Sequence, residues 1–196
     1  DVIRYVSSLQ TPYAFYFFNS YGAKSAQLDF LQNVSTALPI SVTNLMDFYK
    51  NSPSKFVTDG RGLQLSGIPL AGFFTDPDEI YQFPLEYGRV DTSTFNFNAT
   101  IPTQSGGYKS SGTRINTVDG WGKITVPTGT YDCIRVKSEI TFNDVVTIPD
   151  GLLPLPIPFP IPPINLNYRR IEYKWLAKNK KIPVVQVNVT LPPFGG

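Results

Sequence analysis

Alternation of apolar and polar side chains is the dominant pattern along this chain. It is clearest in residues 94–101, where Phe95 and Phe97 share one face and two asparagines share the other. A period of two is typical of a strand that buries one face. Similar patterns over residues 131–142 and 168–176 predict two more long strands. The chain is therefore predicted to be all-β.

Short polar segments separate the predicted strands. Residues 127–130 and 178–181 are typical turn sequences, and Asp59-Gly60 and Asp119-Gly120 predict tight hairpins. Strands joined by short turns pair antiparallel, because parallel pairing needs a longer crossover. We expect one domain spanning residues 1–196 with about nine to eleven strands. The preferred architecture is a single antiparallel meander sheet curved into a half-barrel, and the alternative is a two-sheet β-sandwich.

Three other segments have patterns of their own. The aromatic run at residues 14–18 predicts a buried strand, and residues 41–49 fit either a helix face or a strand. The neighbouring strands favour a strand at 41–49. Asp76-Pro77-Asp78-Glu79 has a cap residue, a proline at the first helical position and a glutamate at the third, which predicts one or two helical turns. At most one or two short helices are expected.

A proline-rich apolar segment occupies residues 149–163. Seven of the 18 prolines lie there. Because proline lacks an amide hydrogen and disrupts helices, the segment is predicted to be an extended loop. It either packs back on its own domain, covers an apolar cavity or contacts a partner. The apolar side chains interleaved with the prolines are Leu153, Leu155, Ile157, Phe159 and Ile161.

Composition excludes many activities. The chain has no histidine, one cysteine, and 17 basic against 15 acidic side chains, a net charge of +2. Catalytic triads, histidine metal ligands, intrachain disulfides and cysteine-ligated clusters are therefore excluded. The small net charge argues against a nucleic-acid partner. No apolar run reaches about 20 residues, so no transmembrane helix is predicted.

Carboxylates and the cysteine are the chemical candidates that remain. Asp76, Asp78 and Glu79 are explained by helix capping, with a calcium site as the alternative. Cys133 shares a strand face with Arg135 and is interpreted as a small packed residue. A reactive thiol would need a nearby cation, and Arg135 is the local candidate. We expect no enzyme, no catalytic residue, no metal and no cofactor.

Several short motifs follow one another along the chain in a characteristic order. They are Phe83-Pro84-Leu85-Glu86-Tyr87-Gly88, the run from Asp119-Gly120-Trp121-Gly122 to Pro127-Thr128-Gly129-Thr130-Tyr131-Asp132, Arg135-Val136-Lys137, Tyr173-Lys174-Trp175 and Pro183-Val184. This order resembles an uncharacterised β-rich domain of secreted and cell-envelope proteins from Bacteroidetes. The segment from Pro127 to Cys133 is more loosely similar to lipoprotein-carrier half-barrels. The resemblance implies a secreted, periplasmic or cell-surface location after removal of a signal peptide, and no catalytic residue.

Three functions follow as hypotheses. The first is a non-enzymatic domain that holds an apolar, lipid-like molecule in the curved sheet. Its ligand would contact the five apolar side chains of the proline-rich segment together with Tyr173 and Trp175, which are expected to lie in the core. The second is a structural or protein-interaction module of an envelope assembly. The third is a carbohydrate-binding module, which requires Trp121 or Tyr108 to be exposed and coplanar with its neighbours.

Overall fold

One antiparallel sheet contains all ten strands of the structure. The computed structural model describes residues 5–18, 22–25, 41–65, 67–101, 106–149 and 161–191. Each strand pairs with its neighbours in the sequence, and the sheet curls into a half-barrel, as predicted. The strands are β1 (Tyr5–Val6), β2 (Gly22–Ser25), β3 (Val42–Asn51), β4 (Lys55–Leu65), β5 (Ile68–Gln82), β6 (Val90–Thr100), β7 (Gly107–Val126), β8 (Gly129–Thr147), β9 (Ile164–Ala177) and β10 (Val185–Leu191).

The core lies against one face of this sheet, which we call the inner face. Its larger apolar cluster includes Phe95 and Phe97, the pair that the alternation of β6 predicts to be buried. Phe142 and Tyr168 stack in the same cluster with ring centroids 4.6 Å apart. Burial of each large apolar side chain stabilises the fold by about 1.5–3 kcal/mol. Burial of the apolar side chains that alternate along the strands is thus the main source of the sheet's stability.

A second, smaller core lies on the opposite face, the outer face. The predicted strand at residues 14–18 is wrong, because this segment forms turns after a short 3₁₀ turn at Ser8–Gln10. Its buried rings Tyr13 and Phe17 lie over the glycines Gly62 and Gly60 of β4. A side chain at either glycine would occupy the space of the rings. The glycines that predict a turn therefore sit inside one continuous strand, and the predicted hairpin at Asp59-Gly60 is also wrong.

Local turn and helix signals are overridden at two more places. Asp119-Gly120 lies within β7, where the pairing with β8 shifts by one residue between Val118 and Gly120, so the predicted turn is a bulge. Asp76–Tyr81 belongs to β5 and forms no helix, because strand pairing with β4 and β6 replaces the capping box. The favoured strand at residues 41–49 is confirmed as β3.

The contact between Tyr13 and Gly62 gives a testable prediction. A Cβ atom at Gly62 would lie 2.6 Å from Cδ2 of Tyr13, so Gly62→Ala must displace a fully buried ring. We expect a loss of about 1–3 kcal/mol in the free energy of unfolding, measured by urea denaturation. Gly22→Ala is the matched control, because its Cβ would meet only the carbonyl oxygen of Val6 at 3.6 Å. Equal stabilities of the two variants would contradict this packing.

Candidate functional site

The predicted ligand residues lie on two different faces of the sheet. Ile161 packs against the larger inner cluster. Tyr173 and Trp175 alternate with the buried Glu172 and Lys174 along β9, so they face outward and are only partly buried. Their expected place in the core is wrong. Leu153, Leu155, Ile157 and Phe159 lie outside the described residues.

Arg135 organises the outer face beside these two rings. Its guanidinium carbon lies 5.5 Å from the ring centre of Tyr173 and 5.7 Å from that of Trp175, which is cation–π distance. Asp119, the residue at the bulge of β7, accepts hydrogen bonds from Nε at 2.8 Å and Nη2 at 3.1 Å. These hydrogen bonds raise the pKa of Arg135 further. The bulge therefore supplies the carboxylate that fixes the guanidinium against two aromatic rings.

A shallow cavity opens next to this arginine. Gly120 pairs with Arg135 and Gly122 with Cys133, so two positions of β7 carry no side chain; a Cβ at Gly122 would meet open space, and one at Gly120 would meet only the side chain of Arg135. Its volume is about 270 Å³. We call it the outer-face groove, and its lining residues are Gly120, Trp121, Gly122, Lys123, Cys133, Arg135 and Trp175.

Trp121 borders the outer-face groove in β7, but its indole points to the opposite face from Arg135, because Trp121 pairs with Ile134 and alternates with Gly120 and Gly122. The side chain of Trp121 is 77% exposed, which is rare for a residue with so large an apolar surface. Tyr108, the other aromatic residue considered as a surface platform, is buried on the inner face, where its hydroxyl accepts a hydrogen bond from Arg61. Of these two residues, only Trp121 presents a ring to a ligand in solution.

Charges in the outer-face groove are balanced. Arg135 pairs with Asp119, and Lys123 pairs with Asp132 at 2.9 Å. Burial, with a smaller effect from Asp132, raises the pKa of the Cys133 thiol, which favours the neutral form over the nucleophilic thiolate. The groove therefore offers hydrogen-bond donors and acceptors around aromatic rings, without a net charge or an activated nucleophile.

The inner face carries charged groups among its apolar side chains. Arg114 donates two hydrogen bonds to Asp78, at 2.6 and 2.7 Å, and one to Glu172 at 3.2 Å. Arg61 donates to Asp47 at 2.6 Å. Buried ions are tolerated only when they are paired, because desolvation is costly. The described part of this face is thus packed, and paired ions lie among its apolar side chains.

The acidic residues considered for calcium have separate partners. Asp76 accepts from Thr94 at 2.6 Å, Asp78 binds Arg114, and Glu79 binds Lys55 at 2.6 Å. In the described part of the chain, no three side chains of Asp, Glu, Cys or His come together in a way that could hold a metal ion. Their carboxylates serve the sheet structure.

Sequence reasoning missed two residues of the outer-face groove. Asp119 is predicted as a turn residue and Arg135 only as a neighbour of Cys133, whereas the structure joins the two as an ion pair. The alternation of β8 correctly places Arg135 and Cys133 on one face. The signal that was missing is the bulge, which depends on nineteen paired positions along β7 and β8 and not on local turn chemistry.

Comparison of the chain with protein-family models, with curated proteins and with solved structures gives no match in any of the three. The resemblance to the envelope domain therefore stays a prediction. Across the described ranges, no helix has the length and apolar character needed to cross a membrane.

Two buried carboxylates of the inner face differ in their response to protonation. Burial raises the pKa of Asp144, although its oxygen accepts a hydrogen bond from Tyr168 at 3.1 Å. Burial would also raise the pKa of Glu172, but the charges of Lys174 and Arg114 outweigh it and hold that pKa well below its ordinary value. Ionised Asp144 therefore opposes folding, whereas ionised Glu172 favours it.

This contrast predicts opposite behaviour of two substitutions between about pH 7 and pH 4.5. Wild type should gain stability relative to Asp144→Asn as the pH falls, because the folded state takes up the proton before the unfolded state, whose pKa is about 3.9. The stability that wild type has over Glu172→Gln should stay constant in this window and decline only at lower pH. Urea denaturation at each pH measures both differences, and parallel pH profiles for the two variants would contradict the assignment.

Proposed function

We propose that this chain is a non-enzymatic binding domain that holds a neutral carbohydrate in the outer-face groove. The observation that carries the proposal is the guanidinium of Arg135, held against the rings of Tyr173 and Trp175 beside the cavity. A location outside the cytoplasm, which the resemblance to envelope domains implies, would bring the domain into contact with saccharides.

The chemistry of the outer-face groove suits a sugar ring. A pyranose has apolar C–H faces and hydroxyl groups around its edge, so it needs an aromatic surface bordered by polar groups. Binding sites commonly combine an apolar wall with a few oriented polar groups. Trp175 supplies a ring, Arg135 supplies donors, and Asp119 supplies carboxylate acceptors. The cavity of about 270 Å³ suits a ring-sized unit and not a large ligand.

Charge balance favours a neutral ligand over an acidic one. Both cations of the outer-face groove are paired with carboxylates of this chain, so an anion would have to displace Asp119 or Asp132. Hydroxyl groups need not displace a carboxylate, because they can donate hydrogen bonds to the carboxylates and accept them from the cations simultaneously. The same balance of charge disfavours a fatty acid in this groove.

The apolar-ligand hypothesis receives less support from the geometry. Its described residues, Ile161, Tyr173 and Trp175, are divided between the two faces, and the described inner face is filled by side chains and ion pairs. A protein-interaction role is supported by a separate group of exposed apolar side chains, Leu9, Phe15, Tyr16 and Phe18, on the segment that packs over β4. That role would involve a surface other than the outer-face groove.

Removal of the Trp175 indole tests the proposal. We expect the purified domain to bind at least one of a panel of neutral hexasaccharides, such as those of glucose, mannose or xylose, in isothermal titration calorimetry. Trp175→Ala should weaken that binding by about 30-fold or more, the effect of removing an aromatic residue that contributes about 2 kcal/mol. Gly120→Val, whose side chain would contact Arg135, should weaken it similarly.

Trp121→Ala is the matched control, because it removes the same kind of side chain from the opposite face of the hairpin. Its affinity should equal that of wild type. Failure of every neutral saccharide to bind, or equal binding by Trp175→Ala, would overturn the proposal. Saturable uptake of a fluorescent fatty acid that Trp175→Ala does not alter would favour the apolar-ligand hypothesis instead.

A further inference from the structure

β10 forms one edge of the sheet and lacks the usual protection of an edge strand. Sheet order ends at β10, so no strand within the described ranges pairs with its far side. Natural edge strands are commonly protected by lysine, proline or a bulge. The seven residues Val185–Leu191 contain no charged residue, no proline and no glycine, and they pair with β9 without a shift in register. This edge is therefore competent to accept another strand.

The side chains of β10 are sorted by face. Val185, Val187 and Val189 lie on the outer face, opposite Trp175, Tyr173 and Ile171 of β9. Gln186 and Asn188 lie on the other face, joined by a hydrogen bond of 2.9 Å. Val187 and Val189 are each more than 40% exposed. Valine also has a high propensity for β-strands. An added strand with the same alternation would cover both valines.

We propose that the partner of this edge is a second copy of the same chain, paired through β10 antiparallel to β10 about a twofold axis near Asn188. In an antiparallel pair, only residues whose backbone groups point outward can bond to each other. Odd positions then face odd positions, and even positions face even ones. On one face, valine side chains of the two copies lie opposite each other. On the other face, amide side chains lie opposite polar side chains, so the strand is complementary to itself.

Charge placement agrees with self-pairing. The strand itself is uncharged, and the basic turn with Lys178, Lys180 and Lys181 lies beyond Val185, at the end of β10 away from the axis. At about 3.3 Å per residue, the two copies of Val185 would be roughly 20 Å apart, about twice the Debye length at 0.1 M salt. Repulsion between the two turns would therefore be weak.

The other edge of the sheet is a poor alternative partner. Within the described residues, β1 contains two, Tyr5–Val6, whereas β10 offers seven. A head-to-tail contact between β10 and β1 would leave most of β10 uncovered, and repetition of that contact would produce an open filament. Pairing between two copies of β10 uses the whole strand and closes after two chains. This inference is independent of the proposed carbohydrate site.

A charge-swap experiment tests this dimer. Val187 and its symmetry mate would lie diagonally across the twofold axis, within reach of long side chains. Wild type should be dimeric at about 200 μM by size-exclusion chromatography with light scattering, as expected for a small interface with a dissociation constant on the order of micromolar. Val187→Lys and Val187→Glu, tested separately, should each raise that constant at least about tenfold. An equimolar mixture of the two should restore the dimer.

Val90→Lys is the matched control, because Val90 is an exposed valine at the start of β6, away from this edge. It should remain as dimeric as wild type. Thermal unfolding of every variant establishes that the monomer fold is retained, and Val189→Lys replaces Val187→Lys if the latter does not fold. A monomeric wild type at about 200 μM, dimers that survive both single charges, or a mixture that stays monomeric would overturn the proposal.

Discussion

The guanidinium of Arg114 sets the curvature on which the fold depends. From β7 it binds Asp78 on β5 and Glu172 on β9 simultaneously. In a flat sheet, β5 and β9 would be about 19 Å apart, because neighbouring strands are spaced by about 4.8 Å. One side chain can contact both only if the sheet curls around it. Arg61 of β4 contacts Tyr108 of β7 in the same way.

These buried ions also fix the register of the strands. Slippage of β7 by one residue would turn Arg114 to the outer face, leaving Asp78 without its cation and Glu172 without one of its cations. An unpaired buried charge is far more costly than the pair is favourable, so alternative registers are strongly disfavoured. The apolar side chains of the inner face provide most of the stabilising free energy, whereas the ion pairs specify one arrangement. The fold does not depend on the residues of the outer-face groove, so this part of the outer face can be polar.

Sequence patterns predict the strands of this protein better than the positions at which the strands end. Alternation identifies β6, β8 and β9, because each strand buries every second residue. It fails at Gly60, Asp119 and Asp76, where a turn or cap signal lies inside a long strand and distant partners decide the conformation: a ring of the N-terminal segment, a register shift and a neighbouring strand. Tyr173 and Trp175 show a different limit. Their shared face is evident from spacing, but which face of the sheet is buried depends on the direction of its curl.

The long hairpin of β7 and β8 has a consequence for motion at the outer-face groove. Pairing of β6 with β7 ends at Thr117, and pairing of β9 with β8 begins at Cys133, so the hairpin tip beyond these points is a free two-stranded ribbon. Such ribbons twist more strongly than wide sheets and open locally at lower free energy than the core. The outer-face groove lies at the root of this ribbon. Bending of the ribbon would move Gly120 and Gly122 relative to the Arg135–Trp175 pair and would therefore change the width of the groove.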